Sequence, residues 1–173
     1  MGPRRFAVVG SPVGHSLSPV LHRTAYAALG VRDAVYERHE VPAGALEEFL
    51  LHGPGRELTG LSVTMPGKPE AFALAAETDA ASRALRVSNT LLRRADGSWR
   101  AENHDVHGIV AALRDHGAVD GDSGAVLGSG ATALSAVAAL VELGARTVLL
   151  SARSAEKQIP VRAGALEPGV PSG

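Results

Sequence analysis

Apolar and polar positions alternate or recur along most of this chain, and the period changes from segment to segment. Phe6-Ala7-Val8-Val9 is a short apolar run stopped by Gly10, the pattern of a buried strand. After a loop over Gly10–Leu17, Ser18-Pro19 opens a helix. Ser18 is expected as its N-cap and Pro19 at its first position, with Leu21, Ala25, Ala28 and Leu29 inward and Gly30 at its end. Val35, Glu37, His39 and Val41 give a second strand of weaker alternation. Pro42 is expected to start a helix with Leu46, Phe49 and Leu50 buried. In Leu58–Met65 the residues Leu61, Val63 and Met65 alternate with Ser62 and Thr64, a half-buried strand that Pro66-Gly67 stops. Two short helical pieces follow, over Glu70–Ala76 and about Asp79–Leu85.

The next signal is a hairpin. Two strand-like runs, Val87–Leu92 and Ser98–Glu102, flank Asp96-Gly97, a strong turn dipeptide. Asp105–Leu113 reads as a helix with Val106, Ile109, Val110 and Leu113 on one face, ended by Gly117. Ala125-Val126-Leu127 then runs into Gly128-Ser129-Gly130. Leu134, Val137, Ala138 and Val141 give a helix ended by Gly144, and Thr147–Leu150 is the next strand: one βαβ unit. Beyond Arg153, Pro160, Gly164, Pro168, Gly169 and Pro171 leave little room for a packed element, so residues 154–173 are expected to be a disordered tail. The expected fold class is α/β. Residues 1–104 form one domain, 105–117 a bridging helix and 118–153 a second, nucleotide-binding domain.

Composition narrows the classes. The 173 residues are 45% hydrophobic, 20% charged and only 3% aromatic, so Ala, Val and Leu must build the core. A net charge of −1 without a basic run points away from nucleic acid and from an anionic membrane surface. There is no cysteine, hence no disulfide framework. Met1–Arg5 precedes too few apolar residues for a signal peptide, and no stretch approaches membrane-spanning length. A soluble cytoplasmic protein is expected.

Three places carry chemistry. Gly128-Ser129-Gly130-Ala131-Thr132-Ala133 is a variant of G-x-G-x-x-G between a strand and a helix, the context in which it binds a dinucleotide; a structural glycine turn is the alternative. The helix N-terminus beyond it would face the pyrophosphate. The following strand ends Leu150-Ser151-Ala152-Arg153 with no acid for a ribose hydroxyl, and Arg153 suits a 2′-phosphate, so NADP is preferred to NAD. The second place is Ser62-Val63-Thr64 with Lys68 just past the strand end, where open α/β sheets bind ligands; a solvated lysine is the alternative. The third is Asn103-His104-Asp105-Val106-His107. Asp105 serves at least as a first-turn acid, and no third ligand accompanies His104 and His107 to make a metal site.

These segments together resemble the shikimate dehydrogenases. The resemblance is carried by Gly10–Pro19 (GSPVGHSLSP), Ser62–Lys68 (SVTMPGK), Asn89-Thr90-Leu91, Asn103–Gly108 (NHDVHG) and the glycine turn at Gly128, in order from about Phe6 to Arg153. It implies a three-layer α/β substrate domain followed by a Rossmann domain, and NADPH-dependent reduction of 3-dehydroshikimate to shikimate on the way to chorismate and the aromatic amino acids. It places Ser16 and Ser18 on the substrate carboxylate, and Thr64, Asn89, Lys68 and Asp105 around the ring hydroxyls and the reacting oxygen, with Lys68 and Asp105 as the catalytic pair. Gly128, Ser129, Gly130, Ala131 and Arg153 would hold NADP.

The sequence departs from the family at His104, where Thr is usual, at Ser88 before Asn89, where a small residue such as Ala is usual, and at Ser62, where many members have Asn. It is also short. One βαβ unit takes about 30 residues, and a doubly wound domain needs two halves, so the nucleotide domain is expected to be truncated, with an unpaired edge strand that a homodimer would cover. A homologue that binds shikimate-like acids without redox chemistry, and a paralogue acting on quinate or an aminated analogue, are the competing expectations.

Overall fold

The computed structural model describes residues 2–117 and 121–152. They divide into two compact units that part between Asn103 and His104.

The first unit is built on a six-stranded sheet of order β2-β1-β3-β5-β6-β4. Its strands are β1 (Arg4–Gly10), β2 (Ala34–Glu40), β3 (Gly60–Val63), β4 (Glu77–Thr78), β5 (Thr90–Arg93) and β6 (Trp99–Glu102). β1 pairs in parallel with β2 and β3, β5 runs antiparallel to β3 and β6, and β4 runs parallel to β6. The β5–β6 hairpin turns at Gly97, whose φ of 85° is in the region that glycine enters without strain, and Asp96 accepts hydrogen bonds from the Ser98 backbone and hydroxyl.

Period-2 burial splits the sheet into two faces. Ala7, Val9, Leu61, Val63, Leu91 and Ala101 pack with Leu46, Leu50 and Ala71 of helices α2 (Leu46–Leu51) and α3 (Lys68–Leu74). Val8 and Tyr36 face the other way, packed with Phe6 and with Tyr26 of helix α1 (Ser18–Ala28). Helix, sheet and helix make three layers, as expected. Helix α4 (Ala80–Leu85) is capped by Asp79, whose side chain accepts from the Ser82 N–H at 2.8 Å.

The local reading of this unit needs four corrections. Ser18 is not the N-cap of α1. Leu17 occupies that position, and Ser18 is the first helical residue, its N–H donating to Ser16 Oγ at 3.3 Å. Nor does α1 bury its aliphatic stripe: Leu21, Ala25, Ala28 and Leu29 are exposed. The rings decide its rotation, because His22 stacks on Tyr36 with centroids 3.9 Å apart and Tyr26 meets Phe6 at 6.4 Å. Arg23 fixes the same face by donating from Nε and Nη2 to the Tyr36 carbonyl. Pro42 does not open α2, since Gly44 takes a φ of 77° and the helix begins at Leu46. Finally, β3 ends at Val63, and Met65 is 65% exposed.

The second unit has helix α5 (Asp105–Asp115), then β7 (Ser123–Leu127), α6 (Ala131–Glu142) and β8 (Thr147–Ser151). α5 buries Val106 and Val110 and is followed by Gly117 at φ 77°. β7 and β8 form a parallel two-stranded sheet, with Val126, Ala133 and Val137 as its buried core. Among the described residues no helix is long and apolar enough to cross a membrane.

Candidate active site

The loops after β1 and β3, the end of β6 and the start of β5 all lie at one end of the first unit's sheet, the carboxyl end of its parallel strands. There the register sets Ser62 against Thr90 and Thr90 against Glu102. Backbone bonds then draw the flanking segments in. Thr64 N donates to Val9 O, Val63 N to Asn89 O and Asn89 N to Glu102 O.

The loop after β1 brings Ser16 and Ser18 together, with hydroxyl oxygens 3.2 Å apart. Sequence reasoning missed Tyr36, whose phenol donates to Ser62 Oγ at 2.8 Å. Burial, opposed by the bond to Ser62, holds the phenol above its usual pKa, so it remains a neutral donor. The available signal was an aromatic residue in an otherwise charged strand, Tyr36-Glu37-Arg38-His39-Glu40.

Lys68 is not a solvated strand-end lysine. It is the first residue of α3 and is 7% exposed. The segment before β5 is tied to it, since its carbonyl accepts from Ser88 N at 3.0 Å. Ser88 is fully buried and its hydroxyl donates to Ser82 Oγ at 2.8 Å. One residue on, Asn89 accepts at Oδ1 from the Thr90 hydroxyl at 2.9 Å. Asn103, also buried, donates from Nδ2 to Val87 O at 3.0 Å, and its N–H meets Asp79 Oδ2 at 3.2 Å. The segment Val87–Asn89 thus ties Lys68, Asn89 and Asn103 into one buried polar frame. Of the expected site residues, Ser16, Ser18, Thr64, Lys68 and Asn89 belong to the first unit, and Asp105, half-buried, opens α5 of the second.

The glycine turn sits where expected, between β7 and α6. Gly128 has a φ of 142°, and a Cβ there would stand 3.9 Å from the Cβ of Ala133, so a small residue at 133 keeps strand and helix close. Gly130 is the N-cap of α6, and a Cβ built on it meets nothing within 4 Å. No acidic residue lies in the first turn of α6. This open, uncharged helix start fits a pyrophosphate, with Gly128, Ser129, Gly130 and Ala131 as the backbone cradle. Arg153, expected beside the 2′-phosphate, lies outside the described residues, as does the expected tail.

The shikimate dehydrogenase substrate binding domain matches residues 8–91. A shikimate dehydrogenase (NADP(+)) of Methylobacterium radiotolerans is 40% identical over 97% of this chain and 60% of its own. The crystal structure of Mycobacterium tuberculosis shikimate dehydrogenase superposes with a TM-score of 0.77 at 42% identity, covering 90% of this chain and 56% of that one. Shikimate 5-dehydrogenase from Thermus thermophilus, solved in complex with NADP(H) and shikimate, gives 0.77 at 31% identity over 89% and 57%. The chain therefore spans less than two thirds of the length of these relatives. With its signature segments assembled at the carboxyl end of the sheet and its glycine turn opening α6, the chain carries a match to the shikimate dehydrogenase substrate binding domain and is similar to shikimate dehydrogenases along nearly its whole length.

Proposed function

We propose that this chain provides the substrate site and the first part of the nucleotide site of an NADP-dependent shikimate dehydrogenase, interconverting 3-dehydroshikimate and shikimate. The observation that carries the reading is the buried Lys68, framed by Ser88 and Asn89 at the carboxyl end of the sheet and in the same unit as the Ser16–Ser18 hydroxyl pair.

In this reading Ser16 and Ser18 hydrogen-bond the substrate carboxylate, and Thr64 and Asn89 the ring hydroxyls. NADPH, when bound, supplies the hydride to the ketone carbon. The oxygen then carries developing negative charge and needs a proton. The Lys68 ammonium stabilises that charge, and Lys68 and Asp105 are the groups that hold and deliver the proton. Gly128–Ala131 receive the pyrophosphate, and Arg153 is assigned to the 2′-phosphate. The NADP(+) dependence of the Methylobacterium relative and the NADP(H)–shikimate complex of the Thermus structure support the cofactor and substrate.

A second reading is binding of shikimate-like acids without redox turnover. It is favoured by the family match, which is to the substrate binding domain and covers residues 8–91. The deciding experiment is NADPH formation from shikimate and NADP by the purified chain, alongside calorimetric binding of shikimate alone. Turnover establishes the dehydrogenase; binding without turnover by folded protein establishes the second reading; neither removes both.

A further inference from the structure

Glu40 is the last residue of β2, and in the register it stands opposite Gly10, the last residue of β1. The two strands end together, and the chain then leaves β1 into the loop that carries Ser16. Strand β2 holds this loop at several points. Val41 N donates to Gly10 O at 2.9 Å, and the Arg38 guanidinium donates to Gly14 O. The Glu40 carboxylate accepts from Val13 N at 3.0 Å.

The contacts continue inward from Val13. Its carbonyl accepts from Ser16 N at 3.0 Å, and its side chain is buried against the sheet. Ser16 Oγ then accepts from Ser18 N and stands 3.2 Å from Ser18 Oγ. One residue, clamped at its N–H by Glu40 and bonded at its C=O to Ser16, therefore connects an exposed strand-end carboxylate to the serine pair. A solvated glutamate would have no reason to sit on a loop amide. The neighbouring Ser11 hydroxyl first, and the Val13 N–H second, keep the Glu40 carboxyl below the usual glutamate range, so it is ionised as an acceptor at neutral pH.

We propose that Glu40 is a positioning residue for carboxylate recognition: by fixing the backbone of Val13 it sets the spacing and direction of the Ser16 and Ser18 hydroxyls. This rests on the reading that the two serines hold the substrate carboxylate. Glu40 touches no substrate and acts through the loop. Because it is exposed, its replacement leaves the apolar core unchanged.

The test combines calorimetric shikimate affinity with amide hydrogen exchange in the ligand-free chain, for wild type, Glu40→Ala and Glu40→Gln. Loss of a charge-assisted bond on the loop should weaken shikimate binding about tenfold in E40A. Exchange at Val13 and Ser16 should quicken while the sheet amides and the melting temperature stay as in wild type. E40Q keeps one acceptor oxygen and should recover part of both affinity and protection. Unchanged affinity in E40A against a binding wild type overturns the proposal. So does weakened affinity with unaltered exchange at Val13 and Ser16, or an absence of any recovery in E40Q. A folded wild type that does not bind shikimate removes the proposed function itself, and this inference with it.

Discussion

The Tyr36 hydroxyl donates to Ser62 Oγ at 2.8 Å, joining edge strand β2 to β3 across β1 on the face that packs against α1. One buried residue thus supports the strand that leads into Thr64 of the candidate site.

Tyr36→Phe should therefore act on two quantities by different amounts. The ring and its stacking on His22 remain, so stability should fall by only about 1 kcal/mol, the net worth of a typical hydrogen bond. Shikimate affinity should fall severalfold, because Ser62, two residues before Thr64, loses its partner. Urea unfolding and calorimetric titration of the same protein separate the two effects; an unaltered affinity would detach Tyr36 from the site.

Gly10 marks where the loops after β1 and β3 come closest. A Cβ added there would collide with Thr64 Cγ2 and stand 2.7 Å from Met65 O, and the second of these is backbone. Gly10→Ala must push the two loops apart, with a cost on the order of 1–3 kcal/mol for an overpacked position. Because Ser11 N also donates to Met65 O, the displacement should reach both site loops and weaken shikimate binding. A G10A protein with wild-type midpoint and affinity would show that the loops yield freely.

The sequence made the architecture readable wherever one period dominated. β1, the βαβ unit and the Asp96-Gly97 hairpin followed from alternation, apolar runs and turn chemistry. It was less informative where tertiary contacts outweigh local pattern. The aliphatic stripe of α1 gave the wrong inward face, because stacking of His22 on Tyr36 and the Arg23 fork fix the helix rotation, and neither is a feature of apolar periodicity. The serine and lysine motifs could be found as linear signatures. Tyr36 and Glu40 could not, since their roles arise from a parallel register that aligns Gly10 with Glu40. Nor does a signature reveal that Lys68 is buried; that depends on the bond from Ser88, far along the chain.

Ser82 and Ser88 are both fully buried and bonded to each other, which makes them a suitable pair for a double-mutant cycle. Either single change to Ala leaves the other hydroxyl without this partner, at about 1–3 kcal/mol. Ser82→Ala with Ser88→Ala removes both polar groups and should cost less than the sum, with a coupling of about 1 kcal/mol. Additive losses in chemical denaturation would mean that each serine has an adequate second partner.

Acid should destabilise the first unit partly through Glu37. Desolvation raises its pKa, but hydrogen bonds from Arg5 and His39 outweigh it, and the folded-state pKa is lowered. Arg5 reaches both carboxylate oxygens at 2.9 Å. A depressed carboxyl contributes stability above its unfolded pKa, about 4.3 for glutamate, and loses it as pH falls through the lower folded value. Glu37→Gln should therefore be less stable than wild type at neutral pH, with the difference shrinking below about pH 4. Parallel curves for the two proteins down to low pH would remove Glu37 from the acid response.

Lys68 gives the most direct separation of chemistry from folding. Its side chain is buried at the start of α3, so Lys68→Met keeps an unbranched side chain of similar length in that space while removing the ammonium. Since the Ser88 bond is made to the Lys68 backbone carbonyl, K68M should retain it and remain folded. If the ammonium stabilises the developing oxyanion and takes part in proton transfer, NADPH formation from shikimate should fall roughly 10²- to 10⁴-fold, the range for a positioned acid or base. Shikimate affinity should change far less, because the carboxylate contacts assigned to Ser16 and Ser18 are untouched. Equal losses in affinity and turnover would make Lys68 a binding residue only, and an undiminished rate would take it out of the mechanism and move the proton transfer to Asp105 alone.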